Sequence, residues 1–592
     1  MGTSAAGSSA RLVVLVLISI LMLLAPSRAD AQGYLTVLEP SGPAPGLTFR
    51  PRALASGLVF GDVRLADGTE RAYMVDVCLY GTRTCPAGEL WAPLGTLGGV
   101  QSEARAMDTL TVATPGVGWV SHLVAVGTAQ TANGQWHAYV WRDGVMQPLD
   151  DGGADDSVAV DIGDSGRILG TVRQRDGATH IVVWDTRGVI DGSMVTLPGE
   201  THYPAGIQAY RDNTYFRVAG TQVRANGVDR AFVWDRYGVR DLGTLGGPAA
   251  HANAMNSHGD IVGAATNASG IWRAFFIVPA EDGTMTMLDL GHLSGVTSHA
   301  LGLDKSSINR RVVGHASTIT PRYHAFLWTP DNGMVDLNDL IPPDSGWELT
   351  SAYGIGGPFI FARGLRNGVE QPVILRNDNP PAWTNGRLWV TAVTSTSVTL
   401  AWSGAHGIFG VEHYYVLADD AFVLGPRTDS SMVVTGLTPG RMYRFRVEAS
   451  DGSRSDYMST DGPTLDVRTT SEGPDLSVVS VDGAALALPG TYQIRAVTAN
   501  LGNRPAGPST TRFYFVSNSG ARYVAGDRAL PAIDSLTTLT TYTTVSTFGV
   551  PGGTYRLMGC ADALGAVAEW NETDNCRLSD ASVIVLPLRG LR

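Results

Sequence analysis

The chain has 592 residues, a formal net charge of −12 and 17% charged residues. A length of this order suggests three to four domains. The mild acidity, spread along the chain, lacks the basic field that nucleic acid or an anionic membrane surface requires, so neither is expected as a partner. Basic side chains are almost all arginine, and Lys305 is the sole lysine.

At the start, Arg11 precedes an apolar run from Leu12 to Leu24, followed by Pro26 and Ala29-Asp30-Ala31. The run is short for a membrane span and has the small-x-small end of a secretory signal, with cleavage expected after Ala31. No second run of that length follows, so no membrane span is expected in the mature chain. Secretion or surface display is the expected location. Four cysteines form two local pairs, Cys78 with Cys85 and Cys560 with Cys576. In an exported chain such pairs read as disulfides, and neither has the spacing of a zinc site.

Between Val59 and Leu375 one unit recurs seven times, marked by a turn residue fourteen positions before the end of an apolar run. The markers are Gly61/Val75, Gly127/Trp141, Gly170/Trp184, Gly220/Trp234, Gly263/Ile277, Gly314/Trp328 and Phe361/Leu375. Inside six copies stand Asp67-Gly68, Asn133-Gly134, Asp176-Gly177, Asn226-Gly227, Ser269-Gly270 and Asn367-Gly368, with Thr320-Pro321 in the remaining one. Most of these dipeptides suit a type I′ hairpin turn. The strand that follows, as in Ala231-Phe232-Val233-Trp234, is apolar at consecutive positions, so both of its faces must be covered. With two flanking strands each copy becomes a four-stranded antiparallel unit, and repeats of this period build solenoids or propellers. The last copy lacks a fourth strand, whereas Tyr34 to Leu38 supplies one ahead of the first copy. A seven-bladed β-propeller latched by its own N-terminus is therefore expected over residues 34 to 377. Asp241-Leu242-Gly243-Thr244-Leu245-Gly246-Gly247, His324-Ala325-Phe326-Leu327-Trp328 and Val335-Asp336-Leu337-Asn338-Asp339-Leu340 resemble the HAF repeats of bacterial extracellular proteins. That resemblance implies export and no particular activity.

After Pro380-Pro381 the pattern changes. Val398-Thr399-Leu400-Ala401-Trp402, Tyr414-Tyr415-Val416 and Tyr443-Arg444-Phe445-Arg446-Val447 resemble a fibronectin type III domain, which implies a core Trp402 and a Tyr443 hydroxyl bonded to upstream backbone. From Pro474 onward, Asp475-Leu476-Ser477-Val478, Val497-Thr498-Ala499-Asn500 and the stretch from Cys560 to Cys576 are similar to CARDB, a β-sandwich of bacterial surface proteins. The expected organisation is a signal over 1–31, the propeller over 32–379, the fibronectin module over 380–471 and the CARDB-like module over 472–592, all-β throughout.

Candidate chemistry is sparse. Asp562, Glu569, Glu572 and Asp574 offer enough oxygen for calcium, although a solvated acidic turn is the preferred reading. No other cofactor is expected. His137, His180 and His324 share a repeat position with Arg71, Arg230, Arg273 and Gln371, which reads as a structural hydrogen-bonding slot. No GxSxG, HExxH or phosphate loop is present, so no catalytic residue is assigned and a non-enzymatic role is favoured. The leading expectation is a monomeric binding or adhesion protein whose propeller face recognises a glycan or protein, the sandwiches serving as spacer and attachment. The alternative is a polysaccharide hydrolase or lyase with accessory modules, favoured if acidic residues cluster on the ring axis.

Overall fold

A computed structural model describes residues 33–586 apart from internal segments at 41, 45–46, 56–57, 77–90, 115–117, 186–187, 189, 196–200, 210–215, 280–283, 306–309, 321, 454–457 and 471–472. The signal segment and the Cys78/Cys85 pair lie outside the described residues. The chain divides into two compact units, one of Met1–Ala382 with His406–Glu412 and Ala449–Ser459, the other of the remainder. No helix among the described residues is long and apolar enough to cross a membrane.

The first unit holds seven four-stranded antiparallel sheets, and six of them use four strands consecutive in the chain. In the seventh, Trp347–Gly356, Phe359–Arg366 and Val369–Arg376 are joined by the N-terminal strand Thr36–Leu38. Val37 pairs with Leu375 there, so the strand missing from the last copy is the one that precedes the first. Thr36 donates its hydroxyl to Asp378, the Asn379 amide donates to the Tyr34 carbonyl, and Arg366 pairs with Glu39.

Both faces of the third strands are covered, as their consecutive apolar residues require. Ala274, Phe275, Phe276 and Ile277 are all buried. A separate apolar cluster sits between each pair of successive sheets; between the third and fourth it includes Leu169, Ile181, Val183, Ile207, Val218 and Phe232. Another cluster joins Phe359, Phe361 and Ile374 of the seventh sheet to Phe49, Val59 and Val75 of the first. Polar stitches repeat with the same phase. The amides of Ala72, Ala138 and Ala274 donate to the hydroxyls of Ser102, Ser157 and Ser298 in the next sheet.

The hairpins depart from the type I′ expectation. Leu65 N donates to Thr69 O and Gly68 N to Leu65 O, and residues 131–135, 174–178, 224–228 and 267–271 repeat this pattern. This is a three-residue loop with a left-handed glycine, which needs one positive φ instead of two. Gly68 has φ +85° whereas Asp67 is not left-handed; its carboxylate accepts from Thr69 N instead. The seventh hairpin alone of these fits the two-residue form, with Asn367 at φ 52° and Gly368 at 78°. Its shorter loop moves the register, so Ala362 rather than Phe361 occupies the place of the marker glycines.

The second unit contains two sandwiches. In the first, sheets of three and four strands enclose Val398, Leu400, Trp402, Val434, Phe445 and Val447. Trp402 is fully buried, and the Tyr443 hydroxyl accepts from Thr438 N at 2.8 Å, the corner the sequence implied. In the second, Leu476–Ala485, Thr491–Asn500 and Thr538–Ser546 face a four-stranded sheet ending in Gly553–Cys560 and Cys576–Val585. Cys560 pairs directly with Cys576 in that ladder and is bonded to it.

Candidate functional site

The seven first strands share a defect. Their pairing shifts at the same place in every sheet, between Pro51/Ala53, Ala104/Ala106, Ala159/Asp161, Pro204/Gly206, Ala252/Ala254, Ala300/Gly302 and Ala352/Gly354. A bulge inserts one unpaired residue and re-aims side chains. The marker glycines allow it, because the partner strand's backbone crowds them. A Cβ on Gly127 would lie 2.0 Å from Glu103 O, and one on Gly263 would lie 1.9 Å from His251 O.

All seven bulged residues, Arg52, Arg105, Val160, Ala205, Asn253, Leu301 and Tyr353, line a single cavity of 480 Å³. Thus the first strand of every sheet contributes to one space. The residue after the bulge is Ala53, Ala106, Gly206, Ala254, Gly302 or Gly354 in six sheets and Asp161 in the third. That single departure from Ala or Gly has a partner. Lys305 Nζ, from the sixth sheet, donates to Asp161 Oδ1 at 2.8 Å and to Ile162 O at 3.3 Å. Asp161 Oδ2 also accepts from Ile207 N of the fourth sheet.

Lys305 keeps 39% of its side-chain surface accessible, and Asp108 and Asp164 line the same cavity. Burial works to lower the lysine pKa, but the charges of Asp161, Asp108 and Asp164 outweigh it and the ammonium is held more firmly than usual. Asp108 is pushed up to about 6, chiefly by desolvation, with Lys305 opposing and Asp164 and Asp161 adding to the rise. Elsewhere on the wall charges are paired: Arg52 bonds the buried Asp62, Arg105 bonds Glu103, and Arg311 bonds Asp304. Leu54, Met107, Met255, Leu303 and Ile355 supply an aliphatic layer.

At this end the second sheet has a long strand pair. Its first two strands, Gly98–Thr114 and Gly118–Thr131, continue pairing to Thr114↔Gly118, whereas the third sheet turns after Ile162↔Ile168. The extension leaves the cavity wall at Thr109 and carries Trp119, which is 77% exposed.

The histidine slot is structural where its contacts are seen. His137 Nδ1 donates to Asp151 at 2.5 Å and His324 Nδ1 to Asp336 at 2.6 Å, while Arg230 grips both oxygens of Asp241. A second set of histidines escaped the repeat alignment. His251, Trp272, His299, His315 and Tyr323 form a continuous row with ring centroids 4.7 to 5.7 Å apart. Burial, with His315 and His251 adding, lowers His299 to about 4.

Each acidic residue of the disulfide loop has a polar partner. Asp562 accepts from the amides of Ala566 and Val567, Glu572 from Glu569 N, and Asp574 pairs with Arg468. Glu569 accepts from Leu476 N, tying the loop to the first strand of the sandwich. Burial pushes Glu569 up to about 8; the Leu476 bond opposes this, and the charges of Glu572, Asp562 and Asp475 add to it. Among the described residues no group of three or more His, Cys, Asp or Glu is arranged to hold a metal ion.

Residues 380–461 match the model of the fibronectin type III domain, and residues 473–579 match that of CARDB. The two sandwiches are a fibronectin type III domain and a CARDB domain. No curated protein matches the chain. Among solved structures, the CARDB domain of a Pyrococcus furiosus protein, in complex with di-metal ions, is 21% identical, covering 20% of this chain and 95% of that one at a TM-score of 0.16. A Bacillus thuringiensis chitinase is 18% identical over 40% of this chain, which spans 41% of the chitinase, at a TM-score of 0.16. A puromycin hydrolase mutant is 13% identical over 60% of this chain and 58% of its own, at a TM-score of 0.36. The fibronectin type III and CARDB domains make this a multidomain protein of extracellular type with accessory modules.

Proposed function

We propose that the seven sheets close into a seven-bladed β-propeller and that the chain is an exported bacterial binding or adhesion protein. Its propeller recognises a glycan or protein, and the fibronectin type III and CARDB domains serve as spacer and attachment. One observation carries the reading: a single cavity takes lining residues from the first strand of all seven sheets. The apolar cluster between the seventh and first sheets and the N-terminal strand in the seventh support closure. Resemblance to HAF repeats and the N-terminal apolar segment support export. The test is retention of the purified mature chain on bacterial cell-envelope preparations, with a chain lacking residues 33–379 as control. Retention that needs the repeat region supports the reading, and retention by the control alone contradicts it.

The acidic cluster gives the hydrolase reading one specific support. Asp108, pushed up to about 6, shares the cavity with Asp161 and Asp164, and a carboxyl that keeps its proton toward neutral pH is what the general acid of glycoside hydrolysis requires. New reducing ends on incubation with polysaccharide, lost in Asp108→Asn, would establish that activity.

A further inference from the structure

Within the propeller reading, the cavity itself narrows the ligand. The cations on or beside its wall are already paired, Arg52 with Asp62, Arg105 with Glu103, Arg311 with Asp304 and Lys305 with Asp161, and Asp108 and Asp164 add carboxylate acceptors beyond those pairs. An anion entering would have to take a cation from an existing carboxylate partner and would face the like charges of Asp108 and Asp164. A purely apolar ligand would strip water from these groups without replacing its bonds. A ligand that both donates and accepts, many times over a small volume, fits without disturbing the pairs. Carboxylates take hydroxyl donors in charge-assisted bonds, and the ammonium and guanidinium groups donate to hydroxyl oxygens. The aliphatic layer of Leu54, Met107, Met255, Leu303 and Ile355 provides a surface for C–H groups. The volume of 480 Å³ falls within the range of small-molecule sites, about 300–1,000 Å³.

The placement of the polar groups argues against a role limited to holding the sheets together. Six sheets pack with Ala or Gly at the position of Asp161. Asp161 and Lys305, 144 residues apart, meet inside the cavity, where the lysine remains partly accessible. Independently, a lengthened hairpin of the second sheet rises from the cavity wall at Thr109 and presents an exposed indole at Trp119. At about 3.3 Å per residue, the four steps from Thr109 to Ala113, which pairs with Trp119, put the indole about 13 Å beyond the wall.

We propose that the cavity binds one neutral saccharide unit, its hydroxyls bonded by Asp161, Asp108 and Lys305, and that the glycan leaves past Trp119, which stacks on a later unit. This rests on the propeller reading and replaces "glycan or protein" with a neutral glycan held at the axis. The test is isothermal titration of the full mature chain with methyl glycosides of glucose, galactose, mannose and N-acetylglucosamine and with their trisaccharides, using putrescine and succinate as charged probes. Asp161→Asn keeps an oxygen for Ile207 N, and Lys305→Met keeps the aliphatic stem. Each is expected to weaken the responding glycoside about tenfold or more, with calorimetry showing the repeat region still folded at the titration temperature. Trp119→Ala is expected to weaken the trisaccharide alone. Silence across all the saccharides, full affinity in both cavity variants, or a response to putrescine or succinate only would overturn the proposal. If the chain is still retained on cell envelopes when the saccharides are silent, this inference fails and the binding-protein reading stands. Loss of both removes the two together.

Discussion

The repeat region and the CARDB domain solve the same problem by different means. A repeated four-stranded sheet cannot cover its own faces, so its stability lies in the clusters between neighbours and in the strand that joins the seventh sheet to the N-terminus. The CARDB domain encloses its own core of Leu476, Ile494, Phe513, Phe515 and Leu557 and adds a covalent tie, Cys560–Cys576. In the first case every copy constrains the next, and a residue breaking the pattern, such as Asp161, marks a place where packing alone did not choose. In the second there is no internal template, and a polar residue such as Glu569 is explained by its own bonds within the domain.

That contrast can be broken in order of effect. Deleting residues 33–40 removes the strand Thr36–Leu38 and bares Val369–Arg376 as an edge. The repeat region should lose about 10 °C or more in its melting transition, while the transition of the second unit stays in place; differential scanning calorimetry separates them. Trp402→Ala should cost about 3–5 kcal/mol in the fibronectin type III domain, read by denaturant midpoint, because a fully buried indole leaves a cavity. Cys560→Ser with Cys576→Ser should cost about 3 kcal/mol, confined to the CARDB domain, since the closed loop is short. Equal loss in the repeat region would show that the two parts are not independent.

Two pH effects are opposite in sign. Glu569 sits at about 8 when folded and near its ordinary 4.5 when unfolded. Between those values the folded state holds more proton, so CARDB stability should fall as pH rises from about 4.5 to 8, and Glu569→Gln should flatten the slope in urea titrations. His299, facing His251, His315 and Trp272, sits at about 4 against 6.5 unfolded. There the unfolded state holds more proton, so this histidine should cost the repeat region stability as pH falls from about 6.5 to 4, and His299→Phe should reduce that loss.

The sequence made the repeat, the N-terminal strand and the Cys560–Cys576 pair readable, since each depends on short spacing or on a missing strand. The marker glycines were visible, but their cause was not: a bulge is a property of pairing register, and Gly127 gives no sign of meeting Glu103 O. The Asx-Gly dipeptides suggested a two-residue turn because the side-chain acceptor of Asp67 or Asn133 suits either loop, and only the hydrogen bonds tell them apart. Asp161 and Lys305 were out of reach, separated by 144 residues and joined only through the arrangement of sheets. Glu569 was legible as part of an acidic loop, but its bond to Leu476 crosses 93 residues.

The most direct test of the whole account is single-particle imaging of the mature chain, at a resolution that separates strands. The account predicts seven four-stranded sheets about a closed axis, Thr36–Leu38 in the seventh, and an open space flanked by Asp161 and Lys305. Six or eight sheets, or an open array in which the first and seventh do not meet, would contradict it.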